Sequence, residues 1–116
     1  MKIFSMLTLA TAAYALTDQE LCSKKRYGKS NVLAIQGLCA KTNMVVPSTY
    51  AQKGHKHGGQ KAAIQGNCSP AQWVPQYWCL KQFYDLCAHT TDDKGEDTKK
   101  FGSNGCQSFY ITGHLL

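Results

Sequence analysis

The sequence predicts a small disulfide-stabilised α+β domain, and three observations carry that prediction. The chain has 116 residues and six cysteines, an even set with no C-x-x-C pair. One amphipathic helical segment, residues 75–89, carries two of the cysteines on its apolar side. Short β-rich runs lie on both sides of it.

Each element has its own local justification. Residues 1–15 read as a secretory signal peptide, with Lys2, a short apolar run over 3–10 and the A-x-A site Ala13-Tyr14-Ala15. The apolar run is too short to span a bilayer. Residues 16–116 then form a single disulfide-rich domain, since this length supports one core. Ser30 can cap a short helix built on Val32, Ile35 and Cys39, although a strand fits 32–35 nearly as well. Residues 44–50 and 61–65 read as strands around a turn over 53–59.

Ser69-Pro70 is expected to cap a first helical turn, and Pro75 to start the main helix. At 100° per residue, Cys79, Leu80, Phe83, Tyr84, Leu86 and Cys87 share one arc of that helix. Trp78, Lys81, Gln82, Asp85 and His89 share the other. Residues 91–105 read as a long charged loop, and Phe109-Tyr110-Ile111-Thr112 as the last strand. The resulting order, strand–helix–strand–strand–helix–strand, is that of a ferredoxin-like split βαβ.

The cysteines Cys22, Cys39, Cys68, Cys79, Cys87 and Cys106 admit fifteen complete pairings. Eight residues of helix put Cys79 and Cys87 about 12 Å apart along the axis, beyond the roughly 7 Å that a disulfide spans. They must bridge to different partners, which leaves twelve pairings. Ala34-Ile35-Gln36-Gly37-Leu38-Cys39 is echoed by Ala63-Ile64-Gln65-Gly66-Asn67-Cys68. Either a duplicated supersecondary unit or chance accounts for the echo.

Charge is uneven along the chain, whose formal net charge is +6. Residues 16–61 carry eight Lys/Arg against Asp18 and Glu20, whereas residues 62–116 carry four Lys against five acidic residues. The basic half suits a well-hydrated surface with weak contacts to polyanions or cell walls. It offers only Tyr27 and Tyr50 as stacking aromatics, so nucleic acid is not the expected partner.

No segment suggests catalysis: G-x-S-x-G and H-E-x-x-H are absent from the sequence, and paired cysteines leave no nucleophilic thiol. Glu20 or Glu96, a histidine and Arg26 have the chemistry of a ribonuclease-type site, but no spacing unites them. No cofactor is expected. His55 and His57, at i and i+2 in the turn 53–59, lack a third ligand nearby, so no metal is expected either.

The expected binding residues are Trp78, Lys81, His55 and His57, and the expected partner is a protein. Trp78 lies on the polar arc, with Trp73 and Tyr77 close by in sequence. In so small a domain these aromatics can instead complete the core, Trp78 packing beneath the acidic loop.

A signal peptide, about a hundred following residues, six cysteines and no enzyme motif together resemble the small secreted cysteine-rich effectors of filamentous fungi. The element order is similar to that of killer-toxin-like effectors and some secreted-in-xylem proteins. The resemblance is one of architecture and carries no functional residues with it. It implies an extracellular virulence-type protein that binds a host or extracellular target and performs no catalysis. A secreted cationic antimicrobial or killer-toxin-like protein is the alternative, supported by the basic half.

Overall fold

A computed structural model describes residues 15–113. The expected signal peptide thus lies outside the described residues, apart from Ala15. The described chain opens on two helices, α1 (Asp18–Ser23) and α2 (Gly28–Leu38). It continues through β1 (Val45–Val46), α3 (Thr49–Lys53), the hairpin β2 (His55–His57) and β3 (Gln60–Gly66), and β4 (Gln72–Trp73). Helix α4 (Gln76–His89), β5 (Asp97–Phe101), a 3₁₀ turn at Ser103–Gly105 and β6 (Gln107–Thr112) complete it.

Four strands form a sheet of order β2-β3-β6-β5 with every neighbouring pair antiparallel, and β1 pairs with β4 in a separate ribbon. The strands β3 and β5 are therefore parallel, joined through α4, with β6 between them. The chain is an α+β domain with three disulfides.

The strand-first order expected from the sequence is not the observed one, because among the described residues two helices precede the first strand. Thr17 starts α1 with a capping box: Glu20 N–H donates to Thr17 Oγ1 at 3.1 Å and Thr17 N–H donates to Glu20 Oε1 at 2.8 Å. Ser30 caps nothing and lies inside α2, which begins at Gly28. The strand expected over 44–50 shrinks to Val45–Val46, because Ser48 caps α3, its Oγ accepting from Ala51 N–H at 3.1 Å.

The turn expected over 53–59 is in fact the end of α3, then strand β2, then a two-residue turn. Gly58 and Gly59 have φ of 56° and 85°, and the primed hairpin turn closed by the His57–Gln60 pair requires positive φ at both. Ser69 and Pro70 lie outside any helix, and α4 begins after Pro75 as expected. Part of the loop expected over 91–105 is strand β5, on the sheet edge.

Helix α4 buries Cys79, Phe83, Tyr84, Leu86 and Cys87, the arc its periodicity predicts. In β6 the alternation places Gln107, Phe109 and Ile111 inward. Phe109 centres the core, its ring 4.7 Å from Phe83 and 4.9 Å from Phe101, with Ile35, Leu38 and Ile64 completing the fill.

The bridges are Cys22–Cys87, Cys39–Cys79 and Cys68–Cys106, so no cysteine is free. Two of them anchor α4, to α1 and to the end of α2, while the third ties the exit of β3 to the entry of β6. Cys79 and Cys87 do bridge to different partners. The sequence echo does not mark a duplicated unit, because Ala-Ile-Gln-Gly is helical in α2 and extended in β3.

Candidate functional site

The sequence around β4 and the start of α4 places large aromatics where the chain has no core left to offer. Trp73, Tyr77 and Trp78 are 62%, 63% and 47% exposed, far more than such side chains ordinarily are. None of the three completes the core. Trp73 is held in the β1–β4 ribbon opposite Val45, and its indole N–H donates to the Thr42 carbonyl at 2.9 Å. Trp78 precedes Cys79, whose bridge to Cys39 fixes the first turn of α4 against α2. The Tyr77 and Trp78 rings meet edge to face with centroids 5.0 Å apart. Rigid elements thus hold all three rings outward.

Trp73 and Trp78 wall an open groove of about 290 Å³, with Val74, Pro75, Gln82, Gly102 and Gln107 completing it. Gln82 follows Trp78 by one helical turn. Gln107 starts β6 as a nearly buried side chain, and its amide N–H donates to Gln72 Oε1 at 2.9 Å. Among the described residues, the Gln107 carbonyl oxygen and the Gln82 amide enter no side-chain hydrogen bond. Among the described residues, none with an ionisable side chain lines the groove.

The other expected binding residues are elsewhere. Lys81 is exposed but lines a separate depression with Tyr84 and residues 16–19 beside α1. His55 and His57 lie on strand β2, not on a flexible loop, at the sheet edge opposite β5. The His55 ring occupies the space that a Cβ on Gly37 would fill. Lys81 thus stays near Trp78 on α4 without lining the same groove, while the two histidines sit on a separate element. Gln107 carried no signal in the sequence and Gln82 only its place on the polar arc beside Trp78, because glutamine is unremarkable on a helix face or at a strand start.

Residues with acid–base chemistry are dispersed. Glu20 is engaged in the α1 cap, Arg26 lies 3.8 Å from Asp93, and Glu96 accepts from the Gln60 amide at 3.0 Å. His89 closes α4 with its Nε2 3.0 Å from Asp18 and 3.9 Å from Asp85, whose other oxygen pairs with Lys99 at 2.7 Å. Asp18, Asp85 and His89 are the only His/Cys/Asp/Glu trio among the described residues with donor atoms close enough for one ion. In this structure the His89 ring links α1 to α4 by its hydrogen bond to Asp18.

Burial pushes the phenols of Tyr50 and Tyr84 up, a rise at Tyr84 that the Gln36 amide partly offsets by donating to its oxygen at 3.2 Å. Neither phenol lines the groove. Among the described residues, no helix is long and apolar enough to cross a membrane. No protein-family model, curated protein or solved structure matches the chain.

Proposed function

We propose that this chain is a secreted effector-type protein that binds a host or extracellular target through its Trp73–Tyr77–Trp78 face and performs no catalysis. The observation that carries the reading is the outward placement of three large aromatics on disulfide-anchored structure. Full burial of such a side chain removes roughly 150–250 Å² of surface, and about half or more of that area is still exposed on each of the three for a partner to cover. Its position is already fixed, so little conformational entropy is lost on binding. Three disulfides in a small domain are compatible with an oxidising extracellular setting, which supports the secretory reading of residues 1–15.

We also infer that α2, β2, β3, α4, β5 and β6 correspond to a ferredoxin-like layout in cyclically shifted order. The strand order β2-β3-β6-β5 supports that reading. An experimental structure with a left-handed β3–α4–β5 crossover would contradict it.

The functional test is affinity capture from host extracellular fluid with folded protein, alongside Trp73→Ala and Trp78→Ala variants. A component retained by the parent and released from both variants supports the reading. Retention that is equal in all three removes the aromatic face. Salt-sensitive membrane leakage or growth inhibition by the purified protein would favour the antimicrobial alternative instead.

A further inference from the structure

We infer that the groove between Trp73 and Trp78 is a binding site for a neutral polysaccharide of β-linked hexopyranose units. The inference rests on the aromatic face being the binding face, and it adds the chemistry of the ligand. Three features select that chemistry.

The first is charge. The chain carries a net +6, yet among the described residues no Lys, Arg, His, Asp or Glu lines this groove. A polyanion would be drawn to cationic side chains, and this groove supplies none. An uncharged ligand matches an uncharged lining.

The second is the pair of indoles. Trp73 has its N–H already satisfied by Thr42, so what it offers a ligand is the ring itself. A pyranose with equatorial hydroxyls presents a flat face of C–H bonds, apolar and weakly positive, which suits the electron-rich face of an indole. Successive sugar units of a β-linked chain repeat that face, and two tryptophans on one open groove can take two of them.

The third is the amides. Sugar hydroxyls donate and accept at once, and a primary amide does the same. Among the described residues, neither function of the Gln82 amide has a side-chain partner, and the Gln107 side-chain carbonyl oxygen is an uncommitted acceptor on a residue that is 6% exposed. Its position is fixed because its N–H is held by Gln72 at 2.9 Å. Open walls, in place of an enclosed cavity, suit a polymer that passes through over a monomer that is engulfed.

The test is co-sedimentation of the folded protein with insoluble chitin, cellulose and β-1,3-glucan, with polygalacturonate as the anionic control. Retention on at least one neutral polymer is expected, unchanged in about 0.5 M NaCl, where charge–charge attraction is screened within a few ångströms. Trp78→Ala should reduce that retention about tenfold or more, and Gln82→Ala should weaken it, while Lys56→Gln leaves it intact. Gln82→Ala keeps the test decisive should Trp78→Ala fail to fold. Absence of retention on every neutral polymer, retention on polygalacturonate alone, or equal retention by the tryptophan variants would overturn the inference. Trp78-dependent capture of a protein, with no polysaccharide retained, would sink the polysaccharide while sparing the binding face. Loss of both would sink the two together.

Discussion

Trp78 contributes little to the fold and much to the surface. Its neighbour Cys79 is fully buried and its ring touches Tyr77, itself exposed. Trp78→Ala should therefore cost only about 1 kcal/mol of unfolding free energy in chemical denaturation, the part of the ring that the fold does cover. The opposite holds for Asn31, which is fully buried. Its amide donates to the Lys94 carbonyl at 2.8 Å and its oxygen accepts from Gln60 at 2.9 Å, pinning the segment after α4 onto α2. Asn31→Ala strands both partners and should cost about 2–3 kcal/mol, read by the same denaturation.

Tyr84 sets a response to alkali. Its phenol is raised in the folded state by burial, so the unfolded chain loses that proton first as pH climbs. The stabilisation is complete below about pH 10 and declines above it as the folded phenol ionises. Melting curves of the parent should shift downward above pH 10, and Tyr84→Phe should flatten that decline. An identical decline in the variant would assign the alkaline loss elsewhere.

The elements differ in how plainly the sequence announces them. Helix α4 was legible because its cysteines, Phe83 and Leu86 repeat at helical spacing, and its start followed from Pro75. The final strand was legible from its β-branched and aromatic run. Helix α1 was announced only by Thr17-x-x-Glu20, a two-residue cue in front of a short, half-exposed segment. Thr17→Ala should cost about 1 kcal/mol and speed amide exchange specifically in α1.

Strand β5 has no apolar alternation, since Asp97 to Lys100 are all exposed and only Phe101 turns inward. Lysines on a sheet edge deter edge pairing and also erase the strand signal. The Ala-Ile-Gln-Gly echo shows the same limit. In α2 the segment packs on the sheet, and in β3 it pairs with β6, so tertiary context and not the tetrapeptide selects its state. The aromatic groove was partly legible: Trp78 and Gln82 fell on the polar arc of one helix with Trp73 close by in sequence, whereas Gly102 and Gln107 meet them only through long-range packing.

At the scale of the molecule, the disulfides anchor the helix that carries the exposed Tyr77 and Trp78. The chain closes loops of 65, 40 and 38 residues with its three bridges. Removing Cys22–Cys87 by paired serine substitution should cost about 2–4 kcal/mol in unfolding experiments. The folded protein should show no thiol reactive to Ellman's reagent, since all six cysteines are paired.

The central claim is that the Trp73–Tyr77–Trp78 face is what the molecule presents to its target. The most direct measurement is quantitative retention of one and the same captured component by the folded parent, by folded Trp78→Ala and by reduced, alkylated protein. The account predicts retention by the parent alone, with loss of about tenfold or more in each of the other two. Equal retention by the parent and Trp78→Ala would contradict it.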